Sequence, residues 1–230
     1  MIFVIFSLLA NLWVYKIFFA NFILGILIVT SSILLSNRKF WLFLFSFIPI
    51  LLIQVSTTQR ASLTEIGNDD RREIDLRLRA YPPSFLRVGY WLEERKESIL
   101  FSRITTNFFE NLDPNLYFFA NSPRARVGIK EFEKFPYVLF PVFVLGVLRL
   151  IGKEKKSFWI LSFFLPLFIL SFIGNKNQLG PFTLLPFFII SISEGVGVLY
   201  VKIGKSKRLK VFLLALLVLV IIQMIAYEIS

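Results

Sequence analysis

Apolar runs separated by short polar connections dominate this chain. Residues 2–15 form an apolar run of only fourteen residues, and longer runs follow at 17–36, 40–56, 136–151, 158–173, 181–201 and 211–227. A helix that crosses a bilayer needs about 20 apolar residues, with a range of roughly 17–25. The pattern therefore predicts six membrane helices, or seven if residues 2–15 also cross, either as a short span or as the first part of a longer helix.

The segment 57–135 interrupts this pattern with almost eighty residues of mainly polar sequence. A stretch of this length is too long for a simple connection, so it predicts a small subdomain outside the membrane. Ser62 followed by Glu65 is typical of a helix start, and Pro82 predicts the end of that helix. A second helix is expected over residues 90–109, where apolar positions recur on one side.

The composition agrees with a membrane protein. The chain is 56% hydrophobic, contains 28 Phe and has a mean hydropathy of +0.71, whereas soluble proteins are about 45–50% apolar even with Gly counted. We therefore expect an all-α polytopic membrane protein with a mostly helical external subdomain. Its predicted parts are N-terminal membrane helices at 1–56, the external subdomain at 57–135 and a four-helix membrane region at 136–230.

Positive charge is concentrated in the short connections. The net charge is +11, but 13 of the 26 Lys and Arg lie in 57–135 beside 12 of the 15 acidic residues, so that segment is nearly neutral. Of the other 13 basic residues, 11 fall in the connections at 37–39, 149–156 and 202–210. Basic connections favour the cytoplasmic side. We therefore expect a multi-pass protein of the plasma membrane, with 57–135 and the C-terminus on the external face, and no nucleic-acid partner.

Several kinds of chemistry are excluded by residue type. The chain contains neither cysteine nor histidine, which excludes disulfides, thiol nucleophiles, His-based proton transfer and the usual zinc and haem ligands. Asp69 and Asp70 have oxygen ligands of the kind that magnesium prefers, but their alternating-charge surroundings are typical of a solvated helix face. We predict neither a metal nor a cofactor, and we assign no catalytic residue.

An aromatic block precedes the apolar run at 136–151. Aromatic rings favour the headgroup level of a bilayer, where an apolar body and a polar edge are both accommodated. We therefore expect four side chains at the membrane interface, namely Tyr117, Phe118, Phe119 and Tyr137.

Three basic side chains follow this block, namely Arg124, Arg126 and Lys130. Two guanidinium groups two residues apart can hold a lipid phosphate or diphosphate through paired hydrogen bonds. The competing interpretation makes them headgroup anchors, or partners of Glu131 and Glu133 within the loop. We predict the three basic residues as candidate lipid-phosphate contacts.

Glu194 lies inside the apolar run at 181–201, where a carboxylate is costly. Such a group turns toward a bundle interior or a polar partner, and a second interpretation brings it close to the cytoplasmic interface. The nearby Gly195 and Gly197 lack the strand and the further glycine and lysine of a phosphate-binding loop. Close helix packing is the favoured explanation for these two glycines.

One order of features covers residues 105–200. The external segment NFFENLDPNLYFFANSPRARVG is followed by EKFPYVLFPVFVLGVLRLI, a basic turn, another apolar run and then QLGPFTLLPFFIIS. This order resembles the C-terminal part of the GT-C membrane glycosyltransferases, in particular the protein O-mannosyltransferase and aminoarabinose transferase group. The resemblance implies a polyprenyl-phosphate-linked sugar as the lipid partner, transfer on the external side, and Arg124 and Arg126 as lipid-phosphate contacts.

The catalytic base of that family is an acidic residue in the first external loop, whereas this chain has no Asp or Glu before Glu65. The resemblance therefore implies the donor-lipid half of a transferase, split or truncated, that needs a partner membrane chain for catalysis. Whether the chain is an enzyme stays open. The alternative is a non-catalytic membrane scaffold or partner-binding protein of the cell envelope. A transporter is a weaker third interpretation, because only Glu194 places a charge within a span.

Overall fold

The computed structural model describes residues 2–58, 68–93, 95–119, 132–153, 156–174, 177–203 and 207–229, and it is 86% helical with no strand in this part of the chain. The expected all-α class is confirmed. The described α-helices are α1 (Ile2–Leu9), α2 (Leu12–Ala20), α3 (Phe22–Ser36), α4 (Phe40–Thr57), α5 (Asn68–Arg79), α6 (Leu86–Glu93), α7 (Lys96–Leu112), α8 (Phe140–Ile151), α9 (Lys156–Ile173), α10 (Leu185–Ile203) and α11 (Lys207–Ile229). Short 3-10 turns precede α6, α8 and α10, and a π-helical turn at Asn115–Phe119 follows α7.

Helix α10 lies at the centre of the bundle. Every residue from 180 to 193 is buried, and α1, α3, α8 and α11 pack around the helix. A helix that is apolar on all sides is stable only where no side faces water, which is the environment that these neighbours provide. The other helices are therefore arranged by their contacts with α10.

Glycine lets α8 and α10 approach closely. A Cβ added at Gly146 of α8 would overlap the Ser191 carbonyl oxygen, and a Cβ added at Gly195 of α10 would overlap the Val142 carbonyl oxygen. Small residues at a helix crossing bring two backbones together in this way. The packing interpretation of Gly195 is confirmed. A Cβ at Gly197 would meet nothing nearer than the Phe3 ring, at 3.7 Å.

Two asparagines interrupt the N-terminal apolar sequence. The Asn11 side chain accepts a hydrogen bond from the Trp13 amide at the start of α2, and α1 and α2 are bent by 71° at this break. Asn21 has an extended backbone between α2 and α3, and its side chain accepts from the Leu24 amide. The predicted single helix over 17–36 is therefore wrong. The missed signal is the preference of asparagine for helix N-caps, which outweighs apolar continuity here.

The polar segment contains α5, α6 and α7. The predicted single helix over 90–109 is wrong, because α6 ends at Glu93 and Arg95 is extended before α7 begins. Helix α6 packs against α5, whereas α7 packs along α9. The chain changes direction between these two packing surfaces. The predicted helix start at Ser62 lies outside the described residues.

A polar contact joins α5 to α6. The Tyr81 hydroxyl donates to Glu93 Oε1 at 3.1 Å, and Arg77 Nη1 lies 3.5 Å from Glu93 Oε2. The hydrogen bond to Glu93 raises the pKa of Tyr81 above its ordinary value of 10.0. Because the folded state favours the neutral phenol, the resulting stabilisation is present below pH 10 and is lost as the pH rises through the raised pKa.

Membrane-crossing capacity can be judged by length and composition. Among the described residues one helix, Phe182–Lys202, is long and apolar enough to cross a bilayer, and there are two if α1 and α2 form a single bent span. Other apolar helical segments, such as Phe22–Ser36 and Phe158–Ile173, are shorter, with 10–17 residues. Six or seven spans therefore stay a prediction.

The α8–α10 contact generates the first testable prediction. We expect Gly146→Ala to lower the thermal unfolding temperature in detergent by several degrees, since overpacking costs about 1–3 kcal/mol. The matched control is Gly197→Ala. Its Cβ has room, and the alanine gains up to about 1 kcal/mol of helix propensity. Equal unfolding temperatures for the two variants would contradict the proposed close approach.

The α5–α6 contact generates a second prediction. We expect Glu93→Ala to lower the pKa of Tyr81 toward its ordinary value, because the carboxylate acceptor is removed while Arg77 stays. Nuclear magnetic resonance of ring-labelled tyrosine would follow this titration. Glu97→Ala removes the same charge from the first turn of α7 and should leave Tyr81 unchanged. A Tyr81 pKa that is the same in wild type and Glu93→Ala would show that the hydrogen bond is not formed.

Candidate functional site

An apolar cavity of about 330 Å³ lies between α8, α9, α10 and the C-terminal end of α7. Its wall is built mainly from aromatic rings, namely Tyr117, Phe118, Phe143, Trp159, Phe163, Phe164, Phe187 and Phe188. Along α8 the cavity extends from Phe143 to Ile151, a distance of about 12 Å at 1.5 Å per residue. The lining therefore extends over about two turns of α8.

Two polar atoms in this wall have no hydrogen-bond partner. Asn111 and Trp159 are 1% and 2% exposed, and both line the cavity. The Asn111 amide donates from Nδ2 to the Asn107 carbonyl at 2.8 Å, but its Oδ1 accepts nothing, and Trp159 Nε1 donates to nothing. A buried polar group without a partner costs about 1–3 kcal/mol. Both atoms are themselves buried, so they lie behind the apolar surface of the wall.

Helix α7 carries Asn111 into the bundle. The Asn107 side chain donates to the Ser171 carbonyl of α9 at 3.0 Å, which fixes the two helices side by side. After α7 the chain turns at Asp113-Pro114 and forms the π-helical turn. The Tyr117 hydroxyl donates back to the Asn111 carbonyl at 2.6 Å. The polar segment therefore supplies one wall of a cavity whose other walls are apolar helices.

An aromatic cluster fixes the inner end of this turn. The Tyr117 and Phe188 ring centroids lie 4.3 Å apart, and Phe143 stacks on Phe188 at 4.7 Å. Phe118 contacts Phe135, Phe143 and Phe188 and is fully buried. Offset and edge contacts of this kind add about 0.5–1.5 kcal/mol per pair beyond area burial. The ends of the loop, at 117–118 and 135, are locked to α8 and α10.

Two charged side chains are buried next to this cluster. Glu133 and Lys134 are 2% and 1% exposed. Lys134 Nζ donates to the Leu116 carbonyl at 2.8 Å and lies 5.7 Å from the Trp13 ring centroid. Glu133 Oε1 accepts from Gln223 Nε2 of α11 at 2.9 Å. These contacts connect the loop to α2, which carries Trp13, and to α11, which carries Gln223.

The polar turn at Leu179 and Gly180, before α10, lies at the same end of the bundle. Gly180 has φ +74°, which favours glycine, and the Lys134 side chain passes where a Cβ would lie. The Gly180 carbonyl accepts from Gln54 Nε2 of α4 at 3.3 Å, and the neighbouring Leu179 carbonyl accepts from Trp13 Nε1. The buried polar groups here hold loop ends together, so their primary role is structural.

The predicted site residues fall into three groups. Arg124, Arg126 and Lys130 lie outside the described residues, so their role stays a prediction. Of the predicted interface aromatics, Tyr117 and Phe118 are buried in the protein interior, whereas Phe119 and Tyr137 are 41% and 54% exposed. The sequence does not distinguish the two pairs, because burial depends on how the turn packs against Phe188.

The other candidates are placed as follows. Glu194 forms ion pairs with Lys153 at 2.6 Å and Arg149 at 3.5 Å, so it faces the basic connection after α8 rather than the bundle interior. Asp69 and Asp70 lie in α5, but their side chains are outside the described part of the structure. No group of three or more potential metal-ligating side chains occurs among the residues described.

Sequence reasoning missed Asn111 and Trp159. Asn111 follows Asn107 by four residues, which places both on one helix face, and this spacing is the only available signal. Among the described residues that line the cavity there is no carboxylate and no basic group. The wall can therefore bind an apolar molecule, and among the described residues it supplies no acid–base group.

The aromatic cluster generates the third prediction. We expect Phe118→Ala to destabilise the protein by about 3–5 kcal/mol, the usual cost of deleting a buried ring. Phe119→Ala deletes the same side chain at a position that is 41% exposed and should cost much less. Chemical unfolding in mild detergent would compare the two variants, with Phe118→Leu as a milder change. Equal losses at 118 and 119 would contradict the buried placement of Phe118.

Comparison with known proteins gave no match to any family model, to any curated protein or to any solved structure. The GT-C resemblance therefore rests on the sequence features alone and is treated below as a proposal.

Proposed function

We propose that this is a multi-pass protein of the plasma membrane that binds the hydrocarbon part of a phosphate-bearing lipid in the α8–α9–α10 cavity. The external side of the membrane carries segment 57–135 and the C-terminus. In this proposal the protein acts as the donor-lipid part of a GT-C-like glycosyltransferase, and another membrane chain supplies the missing base. The single observation that carries the lipid-binding proposal is the apolar cavity between these helices.

Exposed apolar surface supports the membrane part of the proposal. On α4, Trp41, Phe45, Ile48 and Leu52 are 81%, 79%, 53% and 62% exposed. Their spacing of four, three and four residues forms one continuous stripe along the helix. Contiguous apolar patches of this kind are rare on soluble monomers, and lipid chains are the solvent that suits them. In this proposal several helices, each shorter than a usual membrane span, cross the bilayer together as a bundle.

The cavity dimensions suit a lipid chain. A volume of about 330 Å³ lies at the lower end of the range of roughly 300–1,000 Å³ that is usual for ligand pockets. Its length follows α8, and its surface is aromatic and aliphatic. An unbranched or isoprenoid chain can fill such a space through apolar contacts alone.

The headgroup contacts are proposed from the sequence. Arg124 follows Phe119, the last described residue of the π-helical turn, by five positions. Arg124, Arg126 and Lys130 are the basic residues of this part of the loop. Charge-assisted bonds from guanidinium groups are the strongest common contacts with a phosphate. We propose that they hold the phosphate of the lipid whose chain occupies the cavity.

Binding measurements provide the fourth prediction. We expect the Arg124→Ala/Arg126→Ala double variant to bind a short-chain polyprenyl phosphate at least about tenfold more weakly, since each charge-assisted bond contributes about 1.5–3 kcal/mol. Binding of the matching uncharged polyprenol should change little. Val147→Trp, which fills the cavity, should weaken binding of both lipids. Native mass spectrometry in detergent would measure the dissociation constant of each lipid for each variant.

The matched control is Arg71→Ala/Arg72→Ala on α5, where both arginines are exposed. It removes the same charge and should leave both lipids bound. If the Arg124/Arg126 variant and the Val147→Trp variant bind the polyprenyl phosphate as well as wild type does, the lipid-binding proposal is wrong.

A second candidate function is a non-catalytic membrane scaffold that binds a partner protein of the cell envelope. It is favoured by one observation, the absence of any acidic or basic group among the described residues that line the cavity. Unchanged lipid binding in the arginine double variant, together with loss of a co-purifying membrane partner, would favour this candidate.

A further inference from the structure

Helix α7 has two different faces. One face packs along α9 and includes the buried residue Asn111, whereas the buried Ile99 lies beside Arg77 and Glu93. The other exposes Phe101, Phe109 and Leu112 to 69%, 64% and 39%. At 100° per residue these three positions fall within an arc of about 80°. The exposed side of α7 is therefore an apolar stripe in a segment that the sequence assigns to water.

The position of α7 beside α9 indicates what covers this stripe. Helix α9 exposes its own apolar residues, with Phe164, Phe168 and Phe172 at 47%, 60% and 43%. Asn107 of α7 bonds to Ser171 near the C-terminal end of α9, and Asn111 and Leu112 line the cavity with residues nearer its start. The part of α7 from Asn107 to Leu112 therefore lies along the apolar part of α9. The environment that covers α9 continues over α7. If lipid chains surround α9, they also reach the stripe on α7.

Helix α6 carries residues of the kind found at a membrane surface. Trp91 and Val88 are 54% and 47% exposed, and Arg87 is exposed beside them. The Arg95 guanidinium lies 4.0 Å from the Trp91 ring centroid. A tryptophan with arginines suits the headgroup level, where the ring is half-buried and the cation faces lipid phosphates.

We propose that α6 and α7 lie in the outer part of the bilayer rather than in water. The apolar stripe of α7 contacts lipid chains, and Trp91 of α6 lies among anionic headgroups together with Arg95, which precedes α7. This proposal rests on the multi-pass proposal made above. It changes the role of α6 and α7 from parts of a separate external subdomain to helices embedded in lipid beside the cavity.

The natural absence of cysteine allows a direct test. Single variants Trp91→Cys, Phe101→Cys and Phe109→Cys would each carry a nitroxide label in full-length protein, in nanodiscs of equal parts phosphatidylcholine and phosphatidylglycerol. Electron paramagnetic resonance would compare collisions with oxygen, which partitions into lipid, and with a water-soluble nickel complex. We expect oxygen to dominate several-fold at positions 101 and 109, with the greater depth at 109, and an interface value at 91.

Two reference labels separate this inference from the multi-pass proposal. Phe45→Cys lies on the exposed stripe of α4 and should report lipid, whereas Asp75→Cys lies on the polar helix α5 and should report water. If position 45 reports lipid while 101 and 109 report water, the inference about α7 is overturned and the multi-pass proposal stands. Collisions with neither reagent at 101 and 109 would indicate a protein partner and also overturn it. If position 45 itself reports water, both proposals fail.

Discussion

The close approach of α8 to α10 is the contact on which the rest of the bundle depends. With a side chain at Gly146 or Gly195, the backbones of the two helices could not lie this near to one another. Because they do, α10 is covered along α8 and the buried run 180–193 can be continuous. The cavity lies beside this contact, between α8, α9 and α10, and the stacked rings of Phe143 and Phe188 line it. Aromatic side chains set the volume of the cavity, and the close glycine contact between α8 and α10 fixes the helices that carry these rings.

The second constraint is that buried backbone groups need partners wherever a helix is interrupted inside an apolar bundle. Asn11 and Asn21 supply caps at the two N-terminal breaks. At the loop ends, the Tyr117 carbonyl accepts from the amides of Lys134 and Phe135, and Lys134 Nζ caps the Leu116 carbonyl. The buried lysine is thus explained by carbonyl groups that would otherwise lack a donor. These polar bonds hold the cavity wall rather than act on a ligand.

Much of the architecture could be predicted from hydrophobic periodicity. Helix class and the approximate limits of α4, α8, α9, α10 and α11 follow from apolar runs bounded by basic turns. The breaks at Asn11, Asn21 and Arg95 could not be predicted that way, since a capped break and a continuous helix have the same hydrophobicity. The cavity could not be predicted from the sequence either, because Asn111 and Trp159 come together only when α7 packs on α9. Phe118 and Phe119 are identical in type, and only tertiary packing decides which of them is buried.

The central claim is that the cavity between α8, α9 and α10 holds a lipid chain. The most direct test is a cryo-electron microscopy map of the full-length protein in lipid nanodiscs, read at this cavity. We predict elongated density along α8, in contact with Trp159 and Asn111 and leaving the cavity toward the membrane. A cavity that is collapsed, or that contains only density for separate water molecules bonded to those two side chains, would contradict it.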